Sequence, residues 1–134
     1  MDKLATKLRE AQLYAHACHN TVSGSNFLEL HEFFEELYGA YESAYDSVVE
    51  RIIGLGDEKL DLPTVNIEAA KAAAEWPTKN IDMIPSLQAL EEDIRGVIEE
   101  YSNEKSKSAG TKNLVAQIAD DSEVRSYKLK QLIK

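Results

Sequence analysis

The sequence predicts an all-α fold: a four-helix bundle with a short extra helix in a long crossover between the second and third long helices. Three observations carry this. Apolar residues recur at three- and four-residue steps nearly throughout the chain. Of the connections between long helical stretches, two are short and one is long, which is bundle topology with a crossover. Runs of alternating apolar and polar residues bounded by turn residues, the mark of strands, are absent.

Each element has its own signals. Leu4, Leu8, Ala11, Ala15, Cys18 and Val22 form one apolar stripe, so residues 3–21 read as the first helix. "TVSGS" breaks the period, and Gly24 suits a turn there. Asn26 with Glu29 is a capping pair opening the second helix. Its stripe runs through Phe27, Leu30, Phe34, Leu37, Tyr41, Tyr45, Val48 and Ile52, and Gly54 and Gly56 end it. At ~1.5 Å per residue this helix is ~42 Å long, a bundle-forming length. The crossover contains a connection over residues 55–63, then a short helix in "NIEAAKAAAEWP", closed by Pro77. The third long helix spans residues 85–101, with Pro85 in its first turn and Leu87, Leu90, Ile94, Val97, Ile98 and Tyr101 inward. "SNEKSKSAG" is a polar loop. The last helix runs from residue 111 to the end, with Leu114, Ile118, Leu129 and Leu132 inward. Its middle, "ADDSEVRS", is poorly apolar, so it either faces water or other subunits or is irregular.

A chain of 134 residues fits one domain, residues 1–134, with a core of useful size. Mean hydropathy is −0.39, that of a soluble globular protein. No apolar run is long enough to span a bilayer, and the N-terminal residues are too polar for a secretory signal. Cys18 is the single cysteine, so no internal disulfide can form, which fits a cytoplasmic location. The net charge of −9 comes from 24 acidic and 15 basic residues. It opposes general affinity for the nucleic-acid backbone and favours cations.

The informative stretch is "HEFFEELYGAYESAYDSVVE", residues 31–50. His31 and Glu35 lie one helical turn apart at its start, and Asp46 and Glu50 one turn apart at its end. With His31 at zero on a helical wheel, Glu35 falls at ~40°, Asp46 at ~60° and Glu50 at ~100°, while the core stripe centres near −70°. All four share one flank beside the core face. An acidic pair at this spacing is ordinarily a solvated face; two pairs on one flank, one carrying a histidine, suggest metal ligands.

His31 and Asp46 are ~22 Å apart along a straight helix, whereas metal–ligand bonds are ~2.0–2.6 Å. One copy of the helix cannot gather both pairs, but an antiparallel second copy can. A two-fold axis near residues 40 and 41 lays His31 and Glu35 of one chain against Asp46 and Glu50 of the other, twice, as an isologous dimer requires. Gly39 sits near that axis on the same flank, where its small size permits close approach. Glu42 and Val49 are expected dimer contacts. In the first helix, His19 precedes the turn and is placed to join His31; His16 is either exposed or a support behind the ligands, and Cys18 belongs to the core.

The run "HNTVSGSNFLELHEFFEELYGAYESAYDSVVERI" resembles the signature of the Dps miniferritins, a ferritin-like family. His19, Gly24, Phe27, Leu30, His31, Glu32, Glu35, Asp46, Glu50 and Arg51 match without a gap. Elsewhere the likeness is one of layout, including "GT" (Gly110, Thr111) opening the last helix. The resemblance implies a ferritin-like bundle that assembles as a hollow dodecamer from antiparallel dimers. It implies ferroxidase activity: Fe(II) oxidised with hydrogen peroxide at a centre shared by two subunits, the ferric mineral being stored inside. His19, His31 and Glu35 would come from one subunit, Asp46 and Glu50 from its neighbour, as both catalytic and metal-binding residues.

The chain also departs from the family. Glu35 stands where the family usually has Asp, adding one methylene of reach. Asn20 follows the first histidine where a tryptophan is common, so a redox-active aromatic is missing there. Tyr127 stands where the last helix often has tryptophan. Pore-lining acids cannot be matched one by one; Asp120, Asp121 and Glu123 are the candidates. Lys3, Lys7 and Arg9 fall within the first helix, and Lys128, Lys130 and Lys134 are a modest basic cluster, so DNA binding is expected to be weak or absent.

Other readings compete. An intrasubunit di-iron ferritin needs Glu-x-x-His motifs from two helices, and this chain has none. A Dps-type shell or interaction protein with weak or lost ferroxidase activity is the alternative that Glu35 and Asn20 support. An unrelated bundle that binds a partner through the flank of its second helix is the third.

Overall fold

The computed structural model describes residues 1–56, 59–103 and 108–133. Five helices follow in order: α1 (Asp2–Thr21), α2 (Phe27–Leu55), α3 (Leu62–Ala74), α4 (Asn80–Ser102) and α5 (Ala109–Leu132). No strand occurs among the described residues. The expected polar loop falls partly on residues 104–107, and Lys134 of the basic cluster is the last residue; both lie outside the described residues, as do Asp57 and Glu58 in the crossover.

The two predicted stripes on α1 and α2 form the centre of the core. Leu4, Leu8, Ala11, Ala15 and Cys18 are fully buried, as are Phe34, Tyr41 and Val48. α1 packs against α2 along its length and also touches α3 and α4, while α5 rests on α4 and only lightly on α2. A groove therefore runs between α2 and α5, lined by Ala40, Ser43, Ala44 and Ser47 on one side and Leu114 and Asp121 on the other. Burial pushes the Cys18 thiol up to about 11, which suits a core residue.

Several boundaries differ from the sequence expectation. The Asn26–Glu29 capping pair does not form: Asn26 holds the N-cap position without a side-chain cap hydrogen bond. The C-terminal end behaves as expected, since Gly56 takes the left-handed conformation (φ 67°) that ends the helix. α3 begins at Leu62, not at residue 66. Asp61 caps it by accepting from the Thr64 backbone N–H (3.2 Å) and hydroxyl (2.7 Å), and Pro63 sits in the first turn, where a missing N–H costs nothing. α4 begins five residues earlier than predicted, with Pro85 inside it. The extra turn is held by Asn80, whose amide donates to the Ser23 carbonyl (2.7 Å) and whose oxygen accepts from the Ser23 N–H (3.2 Å). Pro85 removes only one hydrogen bond, close to the helix start and beside the exposed Ile81.

α5 is continuous through "ADDSEVRS" because that segment is polar on both sides for different reasons. Asp120, Asp121 and Glu123 face outward, while Ser122 and Arg125 turn inward. They meet Glu91 of α4, whose side chain is fully buried. Glu91 accepts from the Tyr41 hydroxyl (2.6 Å), the Ser122 hydroxyl (2.8 Å) and the Arg125 Nε (2.5 Å), with Arg125 Nη2 at 3.2 Å. Burial works against the Arg125 charge, but the hydrogen bond and charge of Glu91 outweigh it and raise its pKa. Burial, and then the Glu91 charge, push the Tyr41 phenol well above its ordinary value. Arg95 adds hydrogen bonds to the Ser122 and Ser126 hydroxyls (2.9 and 2.6 Å). Leu132, expected inward, is exposed.

α3 is anchored on α1 by Trp76, whose indole N–H donates to the buried Glu10 (2.7 Å). The Lys7 ammonium also reaches Glu10 (2.9 Å) and Asp93 (3.4 Å). The Tyr14 hydroxyl donates to the Pro77 carbonyl (2.6 Å), so both sides of the "WP" closure are tied to α1.

Arg125→Met should strand the Glu91 carboxylate without its cation. The expected loss is about 3–5 kcal/mol, read as a lower denaturant midpoint at unchanged slope. Adding Glu91→Gln to the same chain should recover part of it, because the unpaired charge is removed.

Candidate metal centre

The turn between α1 and α2 brings His19 and His31 together. Their rings stack at 3.7 Å between centroids, 20° from parallel. Each Nδ1 also hydrogen-bonds to the other residue's backbone carbonyl: His19 Nδ1 to the His31 oxygen at 2.7 Å, and His31 Nδ1 to the His19 oxygen at 2.9 Å. A carbonyl can only accept, so both Nδ1 atoms carry the proton. In the neutral form the lone pair then sits on Nε2, which is how metal-ligating histidines are commonly fixed.

Local geometry explains the arrangement. The His19 carbonyl lies in the last turn of α1, where helix carbonyls lack partners along the chain. The N–H that could have reached it, that of Ser23, donates to Asn80 instead. His31 fills the gap.

The other candidates stand on α2. Glu35 is exposed one turn after His31, and Asp46 and Glu50 are exposed further along. Within one chain, His31 and Asp46 remain ~22 Å apart at the rise of a straight helix. Among the described residues, no three His, Cys, Asp or Glu side chains converge where they could hold a metal ion. So the structure joins His19 with His31, sets Glu35 beside them in sequence and on the helix, and leaves Asp46 and Glu50 at the other end.

Gly39 is exposed, and a Cβ added there would meet nothing within 4 Å. Glu42 is exposed on the same helix. Val49 corrects the expected contact set: it is only 8% exposed and belongs to the chain's own core. Next to Glu50, the Arg51 guanidinium lies over Gly110 in the first turn of α5, where an added Cβ would approach it to 2.9 Å.

Two residues of this centre were not placed beside the histidines from the sequence. Phe27, expected in the core, is 38% exposed and stacks on His31 at 4.9 Å. Tyr38 is half-buried; it meets His19 edge-on at 5.4 Å and stacks against the exposed His16 at 4.3 Å. The result is one row of rings: Phe27, His31, His19, Tyr38, His16. The helical wheel carries the signal, since Phe27 and Tyr38 lie four residues before and seven after His31 and fall within ~40° of it.

In long-range nitrogen–proton spectra, the neutral forms of His19 and His31 are expected to show the Nδ1–H tautomer. Nε2–H forms of both would contradict the reciprocal hydrogen bonds.

Comparison with known proteins gives the same direction. The family model described as the ferritin-like domain matches residues 1–134. A DNA protection during starvation protein from Brevibacillus brevis is 36% identical over 55 residues, which is 41% of this chain and 37% of that protein. The match thus spans little more than a third of the relative's length. No solved structure matches the chain significantly.

Proposed function

This chain belongs to the ferritin-like family, and we propose that it is an iron-oxidising and iron-storing miniferritin of the Dps type. The partial likeness to a Dps-named protein supports the subfamily. The observation that carries the activity is the locked imidazole pair at one end of α2, with a matching carboxylate pair fifteen residues away at the other. Each end is half of a ligand set, and an antiparallel neighbour supplies the missing half.

In this reading Fe(II) is the substrate. His19, His31 and Glu35 bind it together with Asp46 and Glu50 of the partner subunit. Imidazole nitrogen and carboxylate oxygen suit iron in both oxidation states, and the carboxylates offset the charge gained on oxidation. Two Fe(II) deliver two electrons to one hydrogen peroxide; its O–O bond breaks, two protons are taken up and two waters leave. The protein residues hold the irons at fixed separation and leave room for the oxidant. The Fe(III) product passes to a mineral inside a dodecameric shell, in the cytoplasm.

Two of the three Lys and Arg side chains of α1 are engaged elsewhere, which supports weak or absent DNA binding. Lys7 pairs with Glu10 and Asp93, and the Arg9 guanidinium lies 3.7 Å over the Tyr45 ring.

The test is anaerobic Fe(II) followed by peroxide, with ferric absorbance and particle size followed together. Fast oxidation by a dodecamer is expected, with loss in His31→Ala and in Asp46→Ala. Mixing those two variants and reassembling them should restore activity, because each mixed dimer regains one complete centre. Oxidation no faster than buffer would leave a ferritin-like shell without ferroxidase activity.

Gly39→Leu has space in a single chain and should leave the helix folded. In the assembled protein it should push the two copies of α2 apart, so size-exclusion is expected to show smaller particles with unchanged helical content.

A further inference from the structure

We propose that Asn80 is a positioning residue for the iron centre: from the start of α4 it sets where α1 stops, and so the register in which His19 meets His31. This rests on iron binding at the His19–His31 end of α2.

α1 lacks a local stop signal. The last bond of its ladder runs from the Val22 N–H to the Cys18 carbonyl (2.9 Å), and Val22 then takes extended backbone (φ −59°, ψ 145°). Helices commonly end on a left-handed glycine one residue past the cap. That position is Ser23, which has no positive φ; the left-handed Gly24 comes one residue later. By helical spacing the next donor, the Ser23 N–H, would reach the His19 carbonyl. In that arrangement α1 grows, and the path from Ser23 to α2 changes.

Asn80 opposes this growth from another element. Its side-chain oxygen accepts from the Ser23 N–H (3.2 Å). Its amide nitrogen donates to the Ser23 carbonyl (2.7 Å) and to the Ser23 hydroxyl (3.1 Å). One primary amide therefore occupies every polar group of Ser23. Its own base is firm, because Met83 and Ile84, within the next turn of α4, are buried.

With Ser23 held off the helix axis, the His19 carbonyl is left to the His31 Nδ1–H (2.9 Å). The return bond, from the His19 Nδ1–H to the His31 carbonyl (2.7 Å), forms in the same register. Both neutral rings then keep Nε2 unprotonated, the form that ligates metal. Among the described residues Asn80 makes no hydrogen bond to either ring, so it acts through the turn alone.

The experiment uses the assembled protein with nitrogen-labelled histidine. Long-range nitrogen–proton spectra read the tautomers of the neutral rings, and a separate titration with Co(II) alone reads affinity. In Asn80→Ala, part of the His19 and His31 signal is expected to move to the Nε2–H tautomer. Co(II) binding should weaken about five-fold, the worth of one hydrogen bond, at unchanged particle size. Adding Ser23→Pro to Asn80→Ala should restore both readings. Proline has no N–H with which to lengthen α1, and the residue before a proline favours the extended backbone that Val22 already has. A general weakening of α4 would not be repaired in this way. Unchanged tautomers and unchanged Co(II) affinity in Asn80→Ala overturn the proposal and leave the ferroxidase reading in place. So does a change that Ser23→Pro fails to reverse. Co(II) binding that His31→Ala leaves undiminished overturns the metal-centre reading and the proposal with it.

Discussion

The Glu91 carboxylate decides how the bundle closes. It is fully buried, and a buried carboxylate must be paired and hydrogen-bonded or it opposes folding. Tyr41 of α2 and Ser122 and Arg125 of α5 meet that demand. Because two of its partners lie one turn apart on α5, the rotation and height of that helix are fixed by a polar contact and not by apolar packing alone. With α5 held there, its acidic residues face outward and the flank of α2 that carries Glu35, Asp46 and Glu50 stays uncovered.

The large features of the fold were legible because they are periodic. The stripes of α1 and α2, the crossover helix and the left-handed end at Gly56 are all local consequences of residue order. The start of α3 was a local miss, set by the Asp61 cap, but two others were tertiary. The early start of α4 depends on Asn80 meeting Ser23, which is 57 residues away in sequence. The continuity of α5 depends on Glu91, and "ADDSEVRS" contains no apolar sign of an inward face. Glu91 itself was visible in principle, since it sits beside Leu90 on the inner stripe of α4.

The candidate centre was legible for a related reason. Helix rise is constant, so the distance between the two candidate ligand pairs on one helix follows from counting residues, and the proposal of a shared centre rests on that count. The ring row was harder to see. It required knowing that α1 and α2 meet at the level of His19 and His31, and tertiary contacts of that kind leave no periodic trace. Val49 shows the converse limit: it shares the flank on a wheel, yet the core of its own chain claims it.

The reciprocal bonds between His19 and His31 also act as a register pin for the hairpin of α1 and α2. Each ring spans to the other helix's main chain, in opposite senses, so sliding one helix past the other by a single turn, ~5.4 Å, breaks both at once. Each bond contributes about 1 kcal/mol, and the pair sits where the hairpin turns. The two imidazoles thus align the helices through Nδ1 and leave Nε2 for the proposed metal chemistry. Replacing either histidine loosens the register that positions the other, besides removing a proposed ligand.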